Sequence, residues 1–366
     1  MPKEFKLKIL GRTIEHLGTQ MYKHRAPSIA ELVANCHDAG AKNVWIDIPE
    51  EPEYDRNSSI ISVRDDGEGM TSDSVQLQYL VIGRNRRAED KGMSHGRKVM
   101  GRKGIGKLAG FGLASKMTLT TWTENIPSAI RFSMSLEQLK CNPGAVEDIT
   151  FPWDDAPKIQ GWPSSGTMIH LSGLKHASPL QISALAETLA RRFSRTTRGE
   201  MVIHINGTPV TDPDLETVLQ HPEDGSFEEE TLPSGNVVKY RYSFSKATIK
   251  SAEMQGFAIY AHERTAQAPP FFFNVESTAS GQHSTRYVTG EIKADYLDDG
   301  IDDESDLTST DRQELDWEKE ELRELKEWGD KLTRRLLIQC AELKGNELKK
   351  WVLEEPDLKG SSGIVV

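Results

Sequence analysis

The stretch SIAELVANCHDAGA, residues 28–41, decides the fold prediction for this chain, because one predicted helix carries an apolar stripe on one side and a polar face on the other. Pro27 and Ser28 are typical of a helix start, and the apolar residues that follow share one side of the predicted helix: Ile29, Leu32, Val33 and Cys36. The opposite side of the helical wheel carries Glu31, Asn35 and Asp38. Such a face is either the solvated side of an ordinary amphipathic helix or one wall of a binding site.

A second polar motif, DDGEGM at residues 65–70, follows a short β-branched run that predicts a strand. Its glycines permit a tight turn and let a ligand approach the backbone. The Asp65 carboxylate can accept a hydrogen bond from an exocyclic amine, which adenine carries and guanine lacks at the corresponding position. The motif also fits a simple acidic turn, whereas a calcium loop of the EF-hand type would need a ligand series that is missing here.

The third motif is GRKGIGK at residues 101–107, ahead of the helix-compatible run LAGFGLAS. Glycines before a helix expose backbone N–H groups, and the helix N-terminus adds partial positive charge, so this segment favours phosphate. Lys103 and Lys107 add full charges. A Walker A loop is excluded because Leu108 stands where that motif has Ser or Thr, and a Rossmann fingerprint because the preceding residues are loop-like.

Residues 83–103, between the second and third motifs, are polar, basic and punctuated by glycine without periodicity. This composition predicts either a lid that orders over a bound nucleotide or an ordinary disordered surface loop. Its candidate ligand-binding side chains are Arg84, Arg86, Arg87, His95 and Arg97.

Taken in this order, the three motifs resemble the ATPase superfamily of gyrase, the ninety-kilodalton heat-shock chaperone, histidine kinases and MutL, known as GHKL. The resemblance covers residues 1–175, where Thr167 in GTMIHL is similar to the superfamily's final adenine-site threonine. It implies a Bergerat-type domain, an α/β sandwich with a mixed, mainly antiparallel sheet and helices on one face. The implied cofactors are ATP and Mg²⁺.

The resemblance also implies a role for each matching residue. Asn35 would ligate Mg²⁺, whose octahedral shell an amide oxygen can complete, and Glu31 one helical turn earlier would be the general base that activates water. Asp65 and Thr167 would contact adenine, and Asp38 would support the nucleotide. The remaining nucleotide contacts would come from the glycine motifs: Gly67, Gly69, Met70, Gly101, Lys103, Gly104, Ile105, Gly106 and Lys107.

The chain continues past this domain, as in the chaperone, MutL, topoisomerase and MORC-type branches of the superfamily. Helix and strand patterns predict a second, transducer-like α/β domain over 176–311, in which Asn206-Gly207 is a hairpin signal. The third segment, residues 312–366, is predicted to be an amphipathic helix that starts at about Asp311, followed by a tail. The leucines of this helix fit a dimer seam and a core-facing stripe equally well. The expected fold class is therefore α+β, with two domains and a C-terminal helix.

One local resemblance lies outside the first domain. The segment ESDLTSTDRQEL, residues 304–315, is similar to the part of the heat-shock chaperone in which an arginine reaches the γ-phosphate. Arg312 is the matching residue and a candidate catalytic group, because a cation there stabilises developing phosphate charge. Asp316 replaces the glutamine expected one turn later, and an ordinary helix-start arginine paired with nearby acids is the alternative. The run Phe271 to Phe273 favours core packing or an interface strip over a ligand pocket.

Composition narrows the class of partner. The chain has 45 Lys and Arg against 56 Asp and Glu, a net charge of −11, which disfavours a broad cationic face for nucleic acid.

The sequence also predicts where the protein is located. No run approaches the roughly 20 apolar residues of a membrane span, and three widely separated cysteines suit a reducing, cytoplasmic compartment.

These observations lead to one principal hypothesis and two alternatives about function. The resemblance implies a slow ATP hydrolase whose nucleotide state drives domain closure and homodimerisation, as a chaperone-like clamp or switch. A protein client is favoured over DNA by the acidic balance. A DNA-associated clamp of the MutL or MORC kind, and a non-hydrolysing nucleotide sensor that recruits partners, remain open.

Overall fold

The structure is a computed structural model that forms two compact units, Met1–Asp212 and Pro213–Val366. It describes residues 13, 25–84, 93–100, 104–141, 149–158, 161–193, 199–211, 215–262, 264–273, 275, 284–298, 307 and 314–354.

An eight-stranded sheet organises the first unit. The strands of this unit are β1 (Asn43–Asp47), β2 (Ile61–Asp65), β3 (Met93–Ser94), β4 (Arg97–Lys98), β5 (Ala114–Trp122), β6 (Ser128–Ser135), β7 (Trp153–Pro157), β8 (Gly166–Leu174), β9 (Val202–Ile205) and β10 (Thr208–Pro209). In the described part of the chain β3 and β4 form a separate two-stranded sheet, and the eight-stranded sheet runs in the order β10-β9-β1-β2-β8-β5-β6-β7. Every neighbouring pair in it is antiparallel except β1 with β9. The mixed, mainly antiparallel sheet that the resemblance implied is confirmed.

In the described part of this unit, the α-helices longer than a single turn are α1 (Arg25–Asp38), α2 (Leu136–Cys141) and α3 (Ile182–Arg192). The predicted apolar stripe of α1 is confirmed, because Ile29, Leu32, Val33 and Cys36 are buried in one cluster with residues of the sheet and of α3. Along β2, buried residues alternate with half-buried ones, so one face of the strand lies in this core and the other does not. The helices α1 and α3 therefore cover a single face of the sheet.

The boundary of the first domain differs from the expected position at residue 175. Strand β9 pairs in parallel with β1, and the hairpin partner β10 follows it at the edge of the same sheet. Helix α3 buries Leu185 and Leu189 in the core of this unit. Residues 176–212 are therefore part of the first domain, because their apolar surface is buried by the sheet that precedes them. The Asn206-Gly207 hairpin is confirmed, with both residues at positive φ, 47° and 80°.

Two local predictions in the first unit need correction. The run after the third motif forms a 3₁₀ helix, Gly106–Gly112, and not an α-helix, since its glycines disfavour regular helix. The segment after the second motif forms a short α-helical turn, Ser72–Ser74, continued by a π-helical turn, Val75–Tyr79. Part of the expected irregular lid, 93–98, is the β3–β4 hairpin, turned by His95 and Gly96 at positive φ.

The second unit is a six-stranded sheet packed on a long helix. Its strands are β11 (Thr217–His221), β12 (Glu228–Thr231), β13 (Val237–Ser245), β14 (Gly256–Ala261), β15 (Arg264–Gln267) and β16 (Val288–Lys293), and the helix is α4 (Arg323–Glu354). The strand order is β11-β13-β16-β14-β15, with β12 paired to β13. Leucines of α4 lie buried in the core against this sheet: Leu325, Leu332, Leu336 and Leu337. Of the two roles left open for α4, the structure supports the core-facing stripe.

The start of the C-terminal helix also differs from the expected Asp311. Leu315 is buried, and its N–H donates to the Gln267 side-chain oxygen at 2.9 Å, so its backbone is used in a tertiary contact. α4 begins at Arg323. Phe271 and Phe273 are buried in the same core, where Phe271 stacks on Trp317 at a centroid distance of 5.0 Å. Core packing of the phenylalanine run is thus confirmed. None of the described helices is both long and apolar enough to cross a membrane.

Candidate functional site

Most of the polar face of α1 is buried, although Asn35 between Glu31 and Asp38 is only half-buried. Glu31 is only 7% exposed and Asp38 only 2%. A methyl group placed on Gly106 would lie 3.0 Å from Glu31 Oε2 and 3.7 Å from Asn35 Oδ1. The backbone of the third motif therefore passes directly over the carboxylate and the amide of the first motif, and glycine is the residue that permits this approach.

The second motif places the carboxyl group of Asp65 next to the C-terminal part of α1, where it contacts Cys36. Asp65 is the last residue of β2, is 4% exposed, and accepts a hydrogen bond from Gly67 N at 2.8 Å. Burial raises the pKa of this carboxyl to about 7, against the opposing effect of hydrogen bonds from Gly67, Cys36 and Thr167. Burial, with the nearby Asp65 charge, also raises the pKa of the Cys36 thiol. The two glycines of the motif allow close backbone packing, since a methyl on Gly67 would lie 2.7 Å from Ala39 O.

Asp65, Thr167 and Thr121 occupy one row across three adjacent strands. Thr167 of β8 pairs with Asp65 of β2 on one side and with Thr121 of β5 on the other. The two threonine hydroxyls are 3.0 Å apart, and Met70 N donates to Thr121 Oγ1 at 2.8 Å. The adenine contacts that the resemblance implied, Asp65 and Thr167, are therefore cross-strand neighbours. Thr121 was missed by the sequence reasoning, because only strand pairing reveals its position.

Asp38 holds the segment that precedes the third motif. Its Oδ1 accepts a hydrogen bond from Met100 N at 2.7 Å, and its backbone carbonyl accepts one from Ser94 Oγ at 3.0 Å. These contacts link the C-terminal end of α1 to the β3–β4 hairpin and to the residue before Gly101. Direct support of the nucleotide by Asp38 stays a prediction.

The β3–β4 hairpin contacts the second motif as well. The His95 ring packs on Gly40, where a methyl group would lie 2.7 Å from its Cγ, and His95 Nε2 is 3.2 Å from Glu68 Oε2. Arg97 donates to Ala41 O at 2.8 Å and to Glu200 O at 3.0 Å. The hairpin is thus seated on the loop between α1 and β1 and on the residues that lead into β9.

Lys107 contacts backbone carbonyls in the structure. Its ammonium donates to Val81 O at 2.6 Å and lies 5.6 Å from the centre of the Tyr79 ring. Gly104, at a φ of 62°, lies against Arg84, and Ile105 precedes the 3₁₀ helix. Phosphate binding by Gly104, Ile105 and Lys107 stays a prediction. Gly101, Lys103 and Arg312, together with Arg86 and Arg87 of the expected lid, lie outside the described residues, and their roles stay predictions.

The donor set beside Gly106 is compatible with the expected Mg²⁺. It offers one amide oxygen from Asn35, next to the Glu31 carboxylate, and among the described residues no group of three or more His, Cys, Asp or Glu could hold a metal ion. An ion held by Asn35 would take its other ligands from phosphate oxygens and water, which is how Mg²⁺ is usually bound beside a nucleotide.

Comparison with known families identifies the type of domain that carries the three motifs. Residues 22–148 match the family model described as histidine kinase-, DNA gyrase B-, and HSP90-like ATPase. The first unit contains a GHKL-type ATPase domain. The family supports ATP binding by this chain and ATPase-type activity, and the three motifs quoted above lie within the matched residues.

One curated relative extends over both units. A protein of Herpetosiphon aurantiacus, named "Putative type II restriction enzyme HgiDII", is 27% identical over 336 residues. The match covers 85% of this chain and 52% of the relative, so the chain spans about half the length of the curated relative it matches.

Proposed function

We propose that the GHKL domain binds Mg·ATP between α1 and the third motif and hydrolyses it slowly. The observation that carries this proposal is the close approach of Gly106 to Glu31 and Asn35, with the Asp65–Thr167 row at the other end of the site. Asn35 would hold Mg²⁺, which when bound neutralises phosphate charge. Asp65 would accept a hydrogen bond from the adenine amine.

In the proposed mechanism Glu31 takes a proton from the attacking water. Its carboxylate lies one helical turn before the Asn35 amide on the same face of α1, so base and metal ligand face the same phosphate. The Gly106 backbone covers both groups and limits the access of bulk water. The expected lid, residues 83–103, would close the remaining side.

The test compares Glu31→Gln with wild type in ATP binding and in turnover. We expect near-normal ATP affinity and a loss of turnover of about 10²-fold or more, the usual contribution of a general base. Glu137→Gln on the exposed side of α2 is the matched control and should hydrolyse ATP at the wild-type rate. Full turnover by Glu31→Gln would reject the assignment of the base. A wild type that binds ATP without turnover would favour the non-hydrolysing sensor.

We further propose that the nucleotide state controls closure and homodimerisation, so that the chain acts as a clamp or switch. Two observations favour different partners for it. The net charge of −11 favours a protein client, whereas the similarity to the Herpetosiphon protein, which is named as a restriction enzyme, favours the DNA-associated alternative.

Light scattering after size exclusion, in ADP and in a non-hydrolysable ATP analogue, separates these alternatives. A dimer that forms only with the ATP analogue supports the switch, and a monomer in both nucleotides contradicts it. Repeating the measurement with duplex DNA distinguishes the partners. A nucleotide-dependent complex with DNA would overturn the preference for a protein client.

A further inference from the structure

The large sheet of the first unit has an outer face, on the side opposite to α1 and α3. Side chains alternate between the two faces of a strand. Val63 of β2 lies in the core that the helices cover, so the next residue, Arg64, belongs to the outer face. Strand pairing through β8 and β5 brings Arg131 of β6 into the same row as Arg64. Lys116 precedes Thr120 of that row by an even number of residues and therefore lies on the same face.

The outer face is positively charged across its four central strands, β2, β8, β5 and β6. Arg64, Lys116 and Arg131 are the Lys and Arg residues of these strands, and their one acidic residue is Asp65, which lies on the opposite face. Acidic residues return on the flanking strands β1 and β7. Arg64 and Arg131 are three strand spacings apart, or about 14 Å. A chain with a net charge of −11 thus carries a local cationic strip, which we define as Arg64, Lys116 and Arg131.

The charges of the cationic strip are not neutralised within the described part of the chain. Lys116 and Arg131 are exposed, and Arg131 Nε donates to the neutral Thr120 hydroxyl at 3.3 Å. None of the three cations forms an ion pair with a described residue. Such cations are available to an external anion.

Arg64 is held in place by aromatic rings and not by an anion. Its guanidinium carbon lies 4.7 Å from the centre of the Trp45 ring and 5.7 Å from that of Trp162. Its Nε is buried and has no hydrogen-bond partner among the described residues. A half-buried cation without an anionic partner is costly, so an anion bound here would stabilise it. The planar guanidinium suits phosphate oxygens in particular.

Neutral polar groups lie between the cations. Burial and then the Arg131 charge lower the pKa of His170, against the opposing effect of Asp47, so positive potential acts on this part of the face. The Thr118 and Ser133 hydroxyls are 2.9 Å apart. Whichever of them donates to the other, one hydroxyl keeps a proton that can be donated to an anion.

The composition of this face favours a polyanion over a protein surface. Protein interfaces have an apolar, aromatic-rich centre that is desolvated on binding. Within the four central strands no large apolar side chain is exposed, and Met168 and Trp122 of the outer face are buried. The strip instead offers cations and hydroxyls, the groups that contact nucleic-acid phosphates.

The aromatic rings on this face favour a duplex over a single strand. Single strands bind by stacking their bases on aromatic rings that are free to receive them. Here the Trp45 ring stacks on His204 at a centroid distance of 6.0 Å and also contacts Arg64. The Trp162 ring contacts Arg64 and packs on Trp122 at 4.5 Å. These rings are thus used within the protein, whereas a duplex needs only contacts to its backbone.

We propose that the cationic strip binds the phosphate backbone of duplex DNA without reading its sequence. Backbone contacts from lysine and arginine position a duplex and carry no sequence information. The proposal goes beyond the ATPase function and does not depend on it, because the proposed base site uses Asp65 on the opposite face of the sheet.

The experiment measures the affinity of the full chain for a short DNA duplex by fluorescence anisotropy at a series of salt concentrations. Each phosphate contact releases counterions and adds about 0.9 to the slope of log Kd against log salt concentration. Lys116→Gln and Arg131→Gln should each lower this slope by about 1. Lys331→Gln, the same charge change at an exposed position of α4, is the matched control and should keep the wild-type slope.

Arg64→Met tests the arginine between the two rings, because it keeps an unbranched side chain there and removes the charge. It should lower the slope by about 1 as well. If this variant does not fold, the two exposed positions decide, since their side chains contribute little to the core.

Several results would overturn the proposal. Wild type could fail to bind the duplex even at low salt, or Lys331→Gln could lower the slope as much as the strip variants do. Tighter binding of a single strand of equal length, or of polyglutamate, would reject the duplex as the partner. Titration of the same preparations with ADP keeps the two proposals apart, because loss of ADP binding would reject the nucleotide site and not this surface.

Discussion

Asp65 is a buried carboxyl at the end of a strand, and burial raises its pKa from the ordinary value of 3.8 to about 7. An ionised carboxylate makes a stronger hydrogen bond to an amine than a neutral acid does. Nucleotide binding should therefore favour the ionised form. In the proposed nucleotide site, this carboxyl has to release its proton below about pH 7 when a base binds.

We predict that ADP affinity rises with pH as Asp65 ionises, mainly between about pH 6 and 8. The check is calorimetry across this range for wild type and for Asp65→Asn, which does not titrate. The nucleotide phosphates titrate identically in both experiments, so the difference between the two proteins isolates Asp65. Parallel pH profiles in the two proteins would contradict the prediction.

The raised pKa of Asp65 also makes the stability of the folded chain depend on pH. Because the folded-state pKa is raised, the folded chain binds the Asp65 proton more tightly than the unfolded chain does. Between the ordinary value of 3.8 and about 7, the contribution of Asp65 to stability therefore falls as pH rises. Asp65→Asn should gain stability relative to wild type over this window.

Among the elements, the glycine turn after β2 depends on a very close approach to β5. Gly69 has a φ of 69°, and a methyl group on it would overlap the carbonyl oxygen of Trp122. Gly207 in the β9–β10 hairpin has a similar φ of 80° but has open space around it. The two glycines share the same conformational constraint and differ in packing.

We predict that Gly207→Ala lowers the free energy of unfolding by about 1–2 kcal/mol, the cost of a left-handed conformation for alanine. Gly69→Ala should cost about 3 kcal/mol or more, because overpacking adds to that penalty, and should also weaken ADP binding. Urea unfolding and ADP titration of both variants provide the measurement. Equal destabilisation would show that the approach to Trp122 carries no packing constraint.

At the scale of the whole molecule, the first unit needs residues 176–212 to complete its sheet and core. Strand β9 pairs with β1 in the register Val44 with Ile203, and helix α3 buries Leu185 at 0% exposure. A fragment that stops at residue 175 would expose this part of the core and leave β1 as an edge strand, which invites aggregation.

We predict that a fragment of residues 1–212 folds and binds ADP, whereas a fragment of residues 1–175 is unstable. Thermal unfolding followed by circular dichroism, with ADP titration, compares the two. The complementary fragment 213–366 is the control and should fold with α4 in its core. Comparable melting and binding by the fragment 1–175 would restore the boundary at 175.

The sequence alone was sufficient to predict features that depend on a short segment or on a specific combination of residue types. The apolar stripe of α1 and the Asn206-Gly207 turn are properties of short segments, and the structure confirms both. The order and residue types of the three motifs predicted a GHKL-type domain, which the family match confirms. A glutamate and an asparagine one turn apart, followed in order by two glycine motifs, form a combination that is more specific than any of the three motifs alone.

The remaining features depend on which strands pair, and no local pattern states this. The run Trp153–Pro157 contains proline and acidic residues, which argue against a strand, yet as β7 it occupies the sheet edge, where such residues are tolerated. The placement of β9 beside β1 moved the domain boundary, and the register of β5 against β8 brought Thr121 to Thr167. Local composition determined the elements and motifs, whereas long-range backbone pairing decided the domain limits and which side chains lie together in the proposed base site.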